Sequence, residues 1–534
     1  MKTECKPKFR KDVIFIVFDA LRYDVFSSLD EADLLVPNMA KIARKNGLNK
    51  IVSNGHTTRF AFPSLFTQTY PLDYDGYNFG ISRRPSSIVE SLKEKGYFSK
   101  LIFGAELDIP MMGFDRGADE VIAAYDKLLP IYMFLRYYLH YEVSMWKKGR
   151  YSDGKIKEIL FRDYDTLLNF LSLSKNRTQD PFLHRRARNY TVSEVNALNN
   201  ERALLKKDFR LICEKILTIP LEYYYLALGR KTLPKYFFLY RVKSYFLGKI
   251  QYLMNNRLGF NINCTRTTIP IFAKDYYKEV IKSIKNSKKP WFIFWHIEDL
   301  HDYRIVLRPL SFFRKCLLIP HCLKIRRKIN SKRALFYDLT LIHLDRMIKG
   351  LISEINKYDN EALIFITSDH GYGWKWERSY DQTVEFGFRT HREHINVPLL
   401  IHGGMNKYKG EMLDTINIGD LLFFELGFID LLNIDVDDFV ITESAGRNNC
   451  DLENNDLFFT VTGKDLKIMV HIQKDKIIVE KIFDIANDPE ELNNIVNKDL
   501  KERIKKLLDF LFVKRAKILS FRKVKRENII YKDN

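Results

Sequence analysis

Five short apolar runs, each ending abruptly in a polar residue, constrain this chain more than any other feature. They are DVIFIVFDALR ending at Asp19, FSKLIFGAE at Glu106, WFIFWHIEDLH at His296, ALIFITSDHG at Asp369 and VPLLIHGG at His402. Continuous runs of this length read as strands buried on both faces, because a half-exposed strand would alternate apolar with polar. Between them, SSIVESLKEKG and ALFYDLTLIHLDRMIKGLISEI carry helical spacing. Alternating strand and helix predicts an α/β fold with a mainly parallel sheet sandwiched by helices. Such sheets bind ligands beyond the carboxyl ends of their strands. Asp19, Thr58, His296 and Asp369 are therefore expected to converge, although they lie far apart in the chain.

Two regions break the alternation. Residues 126–264 turn basic and aromatic, as in LLPIYMFLRYYLHYEVSMWKKGR, and read as a helical insertion. From LFFTVTG through LKIMVHIQ to KIIVEKIFDI the pattern becomes that of a small antiparallel sheet, followed by one final basic helix. The expected organisation is a catalytic α/β domain from residues 10–125 and 265–450, the insertion, and a C-terminal β subdomain plus helix at 451–534. The insertion's aromatics suit a helical lid that buries them, ahead of a helix layer lying on an anionic bilayer.

A chain of 534 residues that is 46% hydrophobic can bury a large core. Its net charge of +20 favours anionic surroundings: an anionic ester substrate, an acidic polysaccharide or the face of a membrane. Nucleic acid is disfavoured, since no recognised binding motif accompanies the charge. Six scattered cysteines without a C-x-x-C pair suit a reducing compartment. The run VIFIVF is too short for a signal-peptide core, and no stretch offers the ~20 apolar residues of a spanning helix. The expected location is cytoplasmic, with peripheral attachment at the inner membrane face as the other option. Oligomeric state is not legible.

In VSNGHTTRFAFPSLFTQTYP two threonines precede a helix start. Thr and Ser there are ordinarily N-caps, and a nucleophile can occupy the same place. Asp19 at a strand end is equally what a cap looks like, and Asp369-His370-Gly371 is equally turn chemistry.

Taken in order, the strand-end phrases resemble the sulfatase-like branch of the alkaline phosphatase superfamily. VIFIVFDALRYD resembles that branch's opening strand with its metal-binding aspartate, and SLFTQTYP the phrase following the nucleophile, which places Thr58 at the nucleophile position. FITSDHG resembles the Ser-Asp-His-Gly metal segment, and HREHINVPLLIHGG the stretch ending in Val-Pro-Leu-Ile. The resemblance covers roughly residues 10–125 and 265–500 and leaves the insertion unexplained. It implies Asp19, Thr58, Asp369 and His370 as ligands of one tightly held divalent metal, zinc or manganese ahead of calcium because of the imidazole. Thr58 oxygen, coordinated as an alkoxide, would attack a tetrahedral ester and form a covalent intermediate. His296 and His301 would hydrogen-bond the ester oxygens or protonate the leaving group. His391, ahead of its neighbour His394, would serve as leaving-group acid or as a second metal ligand. Arg22 and Arg59 would clamp substrate oxygens, unless they form surface salt bridges.

Departures from the family's phrases narrow the function. Sulfatases of this branch carry a Cys or Ser that becomes formylglycine, in Cys-x-Pro-Ser-Arg; here the aligned run is Thr58-Arg59-Phe60-Ala61-Phe62. Paired aspartates are replaced by Asp19-Ala20, and Asp-Asn by Asp369-His370. The Asp-x-x-x-His segment of two-metal relatives is absent, since Tyr303 stands four residues after Asp299. These features favour a metal-dependent hydrolase or transferase of a phosphate ester or phosphodiester, lipid- or glycan-linked among the options. The alternatives are a sulfatase acting without formylglycine and a catalytically silent scaffold for anionic glycans or membranes.

Overall fold

The computed structural model describes residues 11–104, 112–123, 139–140, 142–177, 196, 198–217, 273–286, 290–301, 303, 312–359, 361–374, 377, 390–405, 408, 412–445, 452, 455–495 and 501–531. Contacts divide the chain into two compact units. One is Met1–Ala105 with Phe114–Ile122 and Ile271–Asn534, and the other is Glu106–Gly113 with Ala123–Pro270.

The first unit is built on β1 (Val13–Phe18), β2 (Leu48–Val52), β3 (Phe98–Phe103), β4 (Glu120–Ala123), β5 (Trp291–Ile297), β6 (Leu363–Ser368), β7 (Asn396–His402) and β8 (Leu413–Asp414). They form one sheet in the order β4-β3-β5-β1-β6-β7-β2-β8. β1 lies between parallel β5 and β6, with Phe18 level with Ile297 and Ser368. All six residues of β1 are buried, which accounts for its unbroken apolar text.

The two faces of the sheet are divided by strand alternation. Ile14, Ile16 and Phe18 join Trp291, Ile293, Trp295, Ile364 and Ile366 in a core that also takes in residues of the helices Pro37–Asn46, Ala273–Asn286 and Leu335–Tyr358. Phe15, Phe294 and His296 face the other way. There Phe294 and His296 meet Phe62 of the helix Thr58–Thr67, with ring centroids 6.2 and 5.0 Å apart. Helices on both faces sandwich the sheet, so the mainly parallel α/β fold read from the sequence is the one observed.

β7 runs antiparallel to β6, which puts His402 opposite Ile364 at the far edge from Asp369. Of the five polar run ends, His402 therefore stands apart; Glu106 lies outside the described residues.

A second sheet follows: β9 (Val440–Ser444), β10 (Leu457–Thr462), β11 (Leu466–Gln473), β12 (Lys476–Asp484) and β13 (Ile529–Tyr531), in the order β13-β12-β11-β10-β9. The expected antiparallel meander is there, but the single final helix is not. The tail forms the helices Lys501–Lys514 and Ala516–Phe521, turns through Lys523 at φ 56°, and ends as β13 alongside Ile477–Val479. The β-branched Ile529-Ile530 pair suits an edge strand better than a helix end.

The second unit is helical where it is described, with helices Asp153–Arg177 and Phe209–Leu217. Within it Arg202 pairs with Asp165, and Arg210 with Asp153. Among the described residues no helix is long and apolar enough to cross a membrane.

Candidate active site

The parallel register does most of the assembly. Because Phe18 and Ser368 are level, the next residues, Asp19 and Asp369, emerge side by side; Asp19 N donates to Ile297 O (2.8 Å) and Asp369 N to Phe18 O (3.4 Å). Ser368 locks the two strand ends together. Its Oγ lies 2.5 Å from Phe18 O and 2.7 Å from His370 O, and accepts from Leu21 N at 2.8 Å. Ala20 holds φ 78°, a conformation costing a non-glycine residue about 1 kcal/mol or more. It is braced there by Tyr337, whose hydroxyl donates to Ala20 O (2.7 Å) and accepts from Arg22 N (3.1 Å).

Thr57 occupies the N-cap position of the helix Thr58–Thr67, yet no side chain caps that helix. Thr58, the first helical residue, instead turns its hydroxyl toward the strand ends. Its Oγ1 is 3.4 Å from Asp19 Oδ2 and 3.4 Å from His370 Nε2. Gly55 makes the loop before it possible, since a Cβ there would stand 2.5 Å from Phe60 backbone and side-chain carbon.

His370 Nδ1 lies 2.7 Å from Gly371 O and so carries the proton, which leaves Nε2 to face Asp19 Oδ1 (3.3 Å) and Asp369 Oδ2 (3.6 Å). Burial alone would lower this imidazole, but the Asp369 and Asp19 carboxylates raise it to about 9. Burial pushes Asp19 upward in turn, and His301, His370 and His296 outweigh it and hold the carboxyl below its ordinary range.

Asp19, His296 and Asp369 each offer a ligand atom within 4.8 Å of the others. Asp19 Oδ1, Asp369 Oδ2 and both nitrogens of His296 are buried without a hydrogen-bond partner among the described residues. Buried polar atoms left so are costly, and a cation would satisfy them. Two carboxylates with one or two imidazoles and a hydroxyl fit a divalent metal. His296, read from the sequence as a substrate contact, thus stands with the ligand carboxylates, its Nε2 3.8 Å from Asp369 Oδ2.

The remaining candidates are spread around this centre. His301 is exposed in the turn after β5, edge-on to Tyr372 at 6.2 Å, and close enough to Asp19 to act on its charge. Arg59 is half-buried beside Thr58. Arg22 is neither a clamp with an open edge nor a surface pair. Buried to 3% exposure, it gives its guanidinium to Asp24 (2.7 Å), Glu377 (2.6 Å) and Tyr372 O (3.0 Å), beneath the Trp374 ring at 4.7 Å. It braces the loop that follows His370. His391 is buried at the start of a short helical turn, with Nδ1 3.2 Å from Glu491 Oε2.

Ser53, whose Oγ reaches Asp369 O at 2.5 Å, looks like any loop serine and carries no legible signal. Glu491 lies in KIFDIANDPEELNNIVN, at the glutamate of the phrase Tyr-Asp-Leu-x-x-Asp-Pro-x-Glu-x-x-Asn-Leu that this stretch resembles, but nothing in that phrase ties it to His391. His56 is identifiable only as a neighbour of the threonines.

A carboxylate-imidazole cluster thus stands at the carboxyl edge of a parallel sheet, with a hydroxyl on an adjoining helix start, and these groups could hold a divalent cation beside that hydroxyl. The sulfatase family profile matches residues 241–411. No curated protein matches the chain. Among solved structures it is similar to a 2-O GAG sulfatase (TM-score 0.52, 10% identity, covering 97% of this chain and 94% of that one). It is equally similar to a protein assigned as a sulfatase from Bacteroides thetaiotaomicron, with the same score, identity and coverage. The phosphonate monoester hydrolase of Agrobacterium radiobacter follows (0.50, 13%, covering 95% and 96%). At these identities the likeness concerns the fold. The profile match is confined to residues 241–411, and the solved structures add a likeness of fold to sulfatases and to a phosphonate monoester hydrolase.

Proposed function

We propose that the chain is a metal-dependent hydrolase or transferase of a phosphate ester, with a diester or head-group-bearing substrate favoured, working through a covalent ester on Thr58. The observation that carries this is the equal 3.4 Å approach of Thr58 Oγ1 to Asp19 Oδ2 and His370 Nε2. A nucleophile that cannot become formylglycine, beside an Asp-His rather than an Asp-Asn pair, favours phosphoryl over sulfuryl chemistry. The fold shared with a phosphonate monoester hydrolase is compatible with that choice.

Asp19, Asp369, His370 and His296 would hold the metal, zinc or manganese ahead of calcium. When bound, the cation supplies charge neutralisation at the ester and a lowered pKa at the hydroxyl. Thr58 attacks in line from the helix start, whose first amides favour an anion. His301 contacts the ester oxygens from the exposed side, Arg59 lies next to the nucleophile, and His391 gives the leaving group its proton. Residues 10–125 and 265–450 form the catalytic domain, 126–264 the helical insertion, and 451–534 the C-terminal subdomain. Scattered cysteines favour the cytoplasm.

A second reading, cleavage of sulfate esters without formylglycine, is favoured by the sulfatase profile itself and by glycan-sulfate neighbours such as the 2-O GAG sulfatase. Purified protein with zinc or manganese, offered aryl phosphate, phosphodiester and sulfate esters, separates the two. Phosphoryl turnover abolished by Thr58→Ala is the expected result. Release of sulfate alone sinks the phosphoryl reading, and absence of both metal and turnover leaves a silent scaffold.

A further inference from the structure

A buried charged network joins the second sheet to the residues just before β7. Lys467, on β11 and 1% exposed, donates to both Glu491 oxygens (2.8 and 2.9 Å) and to Thr390 O (2.7 Å). Glu491 Oε2 also accepts from Arg392 N at 3.1 Å and faces His391 Nδ1 at 3.2 Å. Phe483, the register partner of Lys467, sets its ring edge-on to His391 at 5.5 Å, and Thr390 Oγ1 meets Thr460 Oγ1 at 2.5 Å.

Three observations say this is more than glue. Glu491 holds φ 54°, where non-glycine residues seldom sit, so its surroundings pin the carboxylate against a local preference. Burial would raise that carboxyl, but Lys467 and His391 outweigh it and hold it at about 2, fully ionised. A buried ion pair is also a poor route to stability, since apolar side chains of equal volume commonly do as well. Lys467 neutralises Glu491, and the Oε2 it shares with Arg392 N also faces His391. An imidazole whose Nδ1–H is so held has its ring plane and tautomer set, and presents Nε2 on its other edge.

The turn that carries His391 is itself tied to the active-site loop. His394 N donates to His391 O at 2.8 Å, and Gly371 N donates to His394 O at 2.6 Å, so this short turn docks on the loop that follows His370. His394 lies within electrostatic range of His391, His56, Arg22 and His370 together.

We propose that Glu491, carried by the C-terminal subdomain and neutralised by Lys467, is a positioning residue that orients His391 as the leaving-group acid. The inference rests on the phosphoryl-transfer reading above. As the bond from Thr58 Oγ1 to phosphorus forms and the bond to the leaving oxygen breaks, that oxygen takes the Nε2 proton of the His391 imidazolium, leaving the neutral Nδ1–H ring. The Thr58 proton goes to solvent. Water then attacks the phosphoryl-threonine, returns a proton to Nε2, and Thr58 oxygen leaves and is reprotonated from solvent.

The test compares the zinc-loaded wild type with Lys467→Met/Glu491→Met, which removes both charges at near-constant volume, and with Glu491→Gln, which keeps an acceptor oxygen. A leaving-group acid matters for a poor leaving group and little for a good one. With methyl phenyl phosphate the double variant is expected to lose about 100-fold in kcat, and with methyl 4-nitrophenyl phosphate about threefold or less, at unchanged KM. Glu491→Gln recovers most of the loss. Equal losses on both esters, or no loss, overturn the role.

A readout independent of turnover is histidine ¹⁵N NMR, with the His391 signal assigned by difference from His391→Gln. At a pH where the ring is neutral the wild type is expected as the Nδ1–H tautomer, which takes up the transferable proton at Nε2 on acidification, and the double variant is expected as a tautomer mixture with the melting temperature retained. An unchanged signal overturns the proposal. Turnover that survives Thr58→Ala sinks the covalent-threonine reading while the NMR result for Glu491 stands.

Discussion

Ser53 Oγ lies 2.5 Å from the carbonyl oxygen of Asp369 and 2.6 Å from that of Gly55, so one buried hydroxyl ties the nucleophile loop to the metal-side strand end. Ser53 O is itself held by Thr442 Oγ1 at 2.6 Å, and the neighbouring Asn54 side chain binds Asp414, Thr415 and the backbone of Ile416 and Ile441. The distance between Thr58 and His370 is thus maintained from below by residues that never meet a substrate.

Ser53→Ala removes that tie and leaves a buried carbonyl short of a donor, at about 1–3 kcal/mol. The expected outcome is a lower midpoint in urea, and a kcat reduced by about tenfold as the hydroxyl drifts from its 3.4 Å approach. Urea titration and steady-state kinetics check it; an unchanged kcat would show that Ser53 serves stability alone.

Metal removal should act on stability as well as on rate. Asp19 Oδ1 and Asp369 Oδ2 are buried and bear like charge, which a cation relieves. Zinc or manganese at 100 times its dissociation constant should stabilise the chain by about 2.7 kcal/mol relative to chelated protein. Asp369→Asn should abolish that increment, as read by the melting temperature with and without chelator.

Gly371 follows the metal segment because nothing larger fits. A Cβ at this position would stand 2.0 Å from Glu393 O, and backbone cannot give way as a side-chain tip can. Gly371→Ala is expected to cost about 3 kcal/mol and to weaken metal uptake by shifting His370. Isothermal titration with zinc measures the second effect.

Acid should find the Glu491 network early. Its carboxyl lies at about 2 in the folded chain against 4.5 ordinarily, chiefly because Lys467 and His391 overcome the cost of burial. Between these values the unfolded chain binds the proton and the folded chain does not. The stabilisation that Glu491 gains from its ionised form is therefore complete above pH 4.5 and is lost as pH falls toward 2. Lys467→Met/Glu491→Met should flatten the stability curve over this interval, as followed by denaturant midpoints at stepped pH.

The amino-acid sequence by itself determined the five longer strands of the larger sheet, without Leu48–Val52, Glu120–Ala123 and Leu413–Asp414, and the residue types where those runs end. Burial on both faces leaves a mark in every residue of a run, and a ligand-type residue at the run's end is equally local. Asp19 and Asp369 stand out in the sequence for that reason, whereas Thr58 and His370 are singled out by phrases that resemble a family's. Only the tertiary structure decided that Thr57 makes no side-chain cap, that Arg22 is consumed by Asp24 and Glu377, and how near His296 comes to Asp369. It alone reversed β7, carrying His402 away, and brought Glu491 across 100 residues to His391. Those outcomes depend on strand direction, on which face a side chain takes and on what packs opposite. Such relationships exist between segments, so no single segment records them.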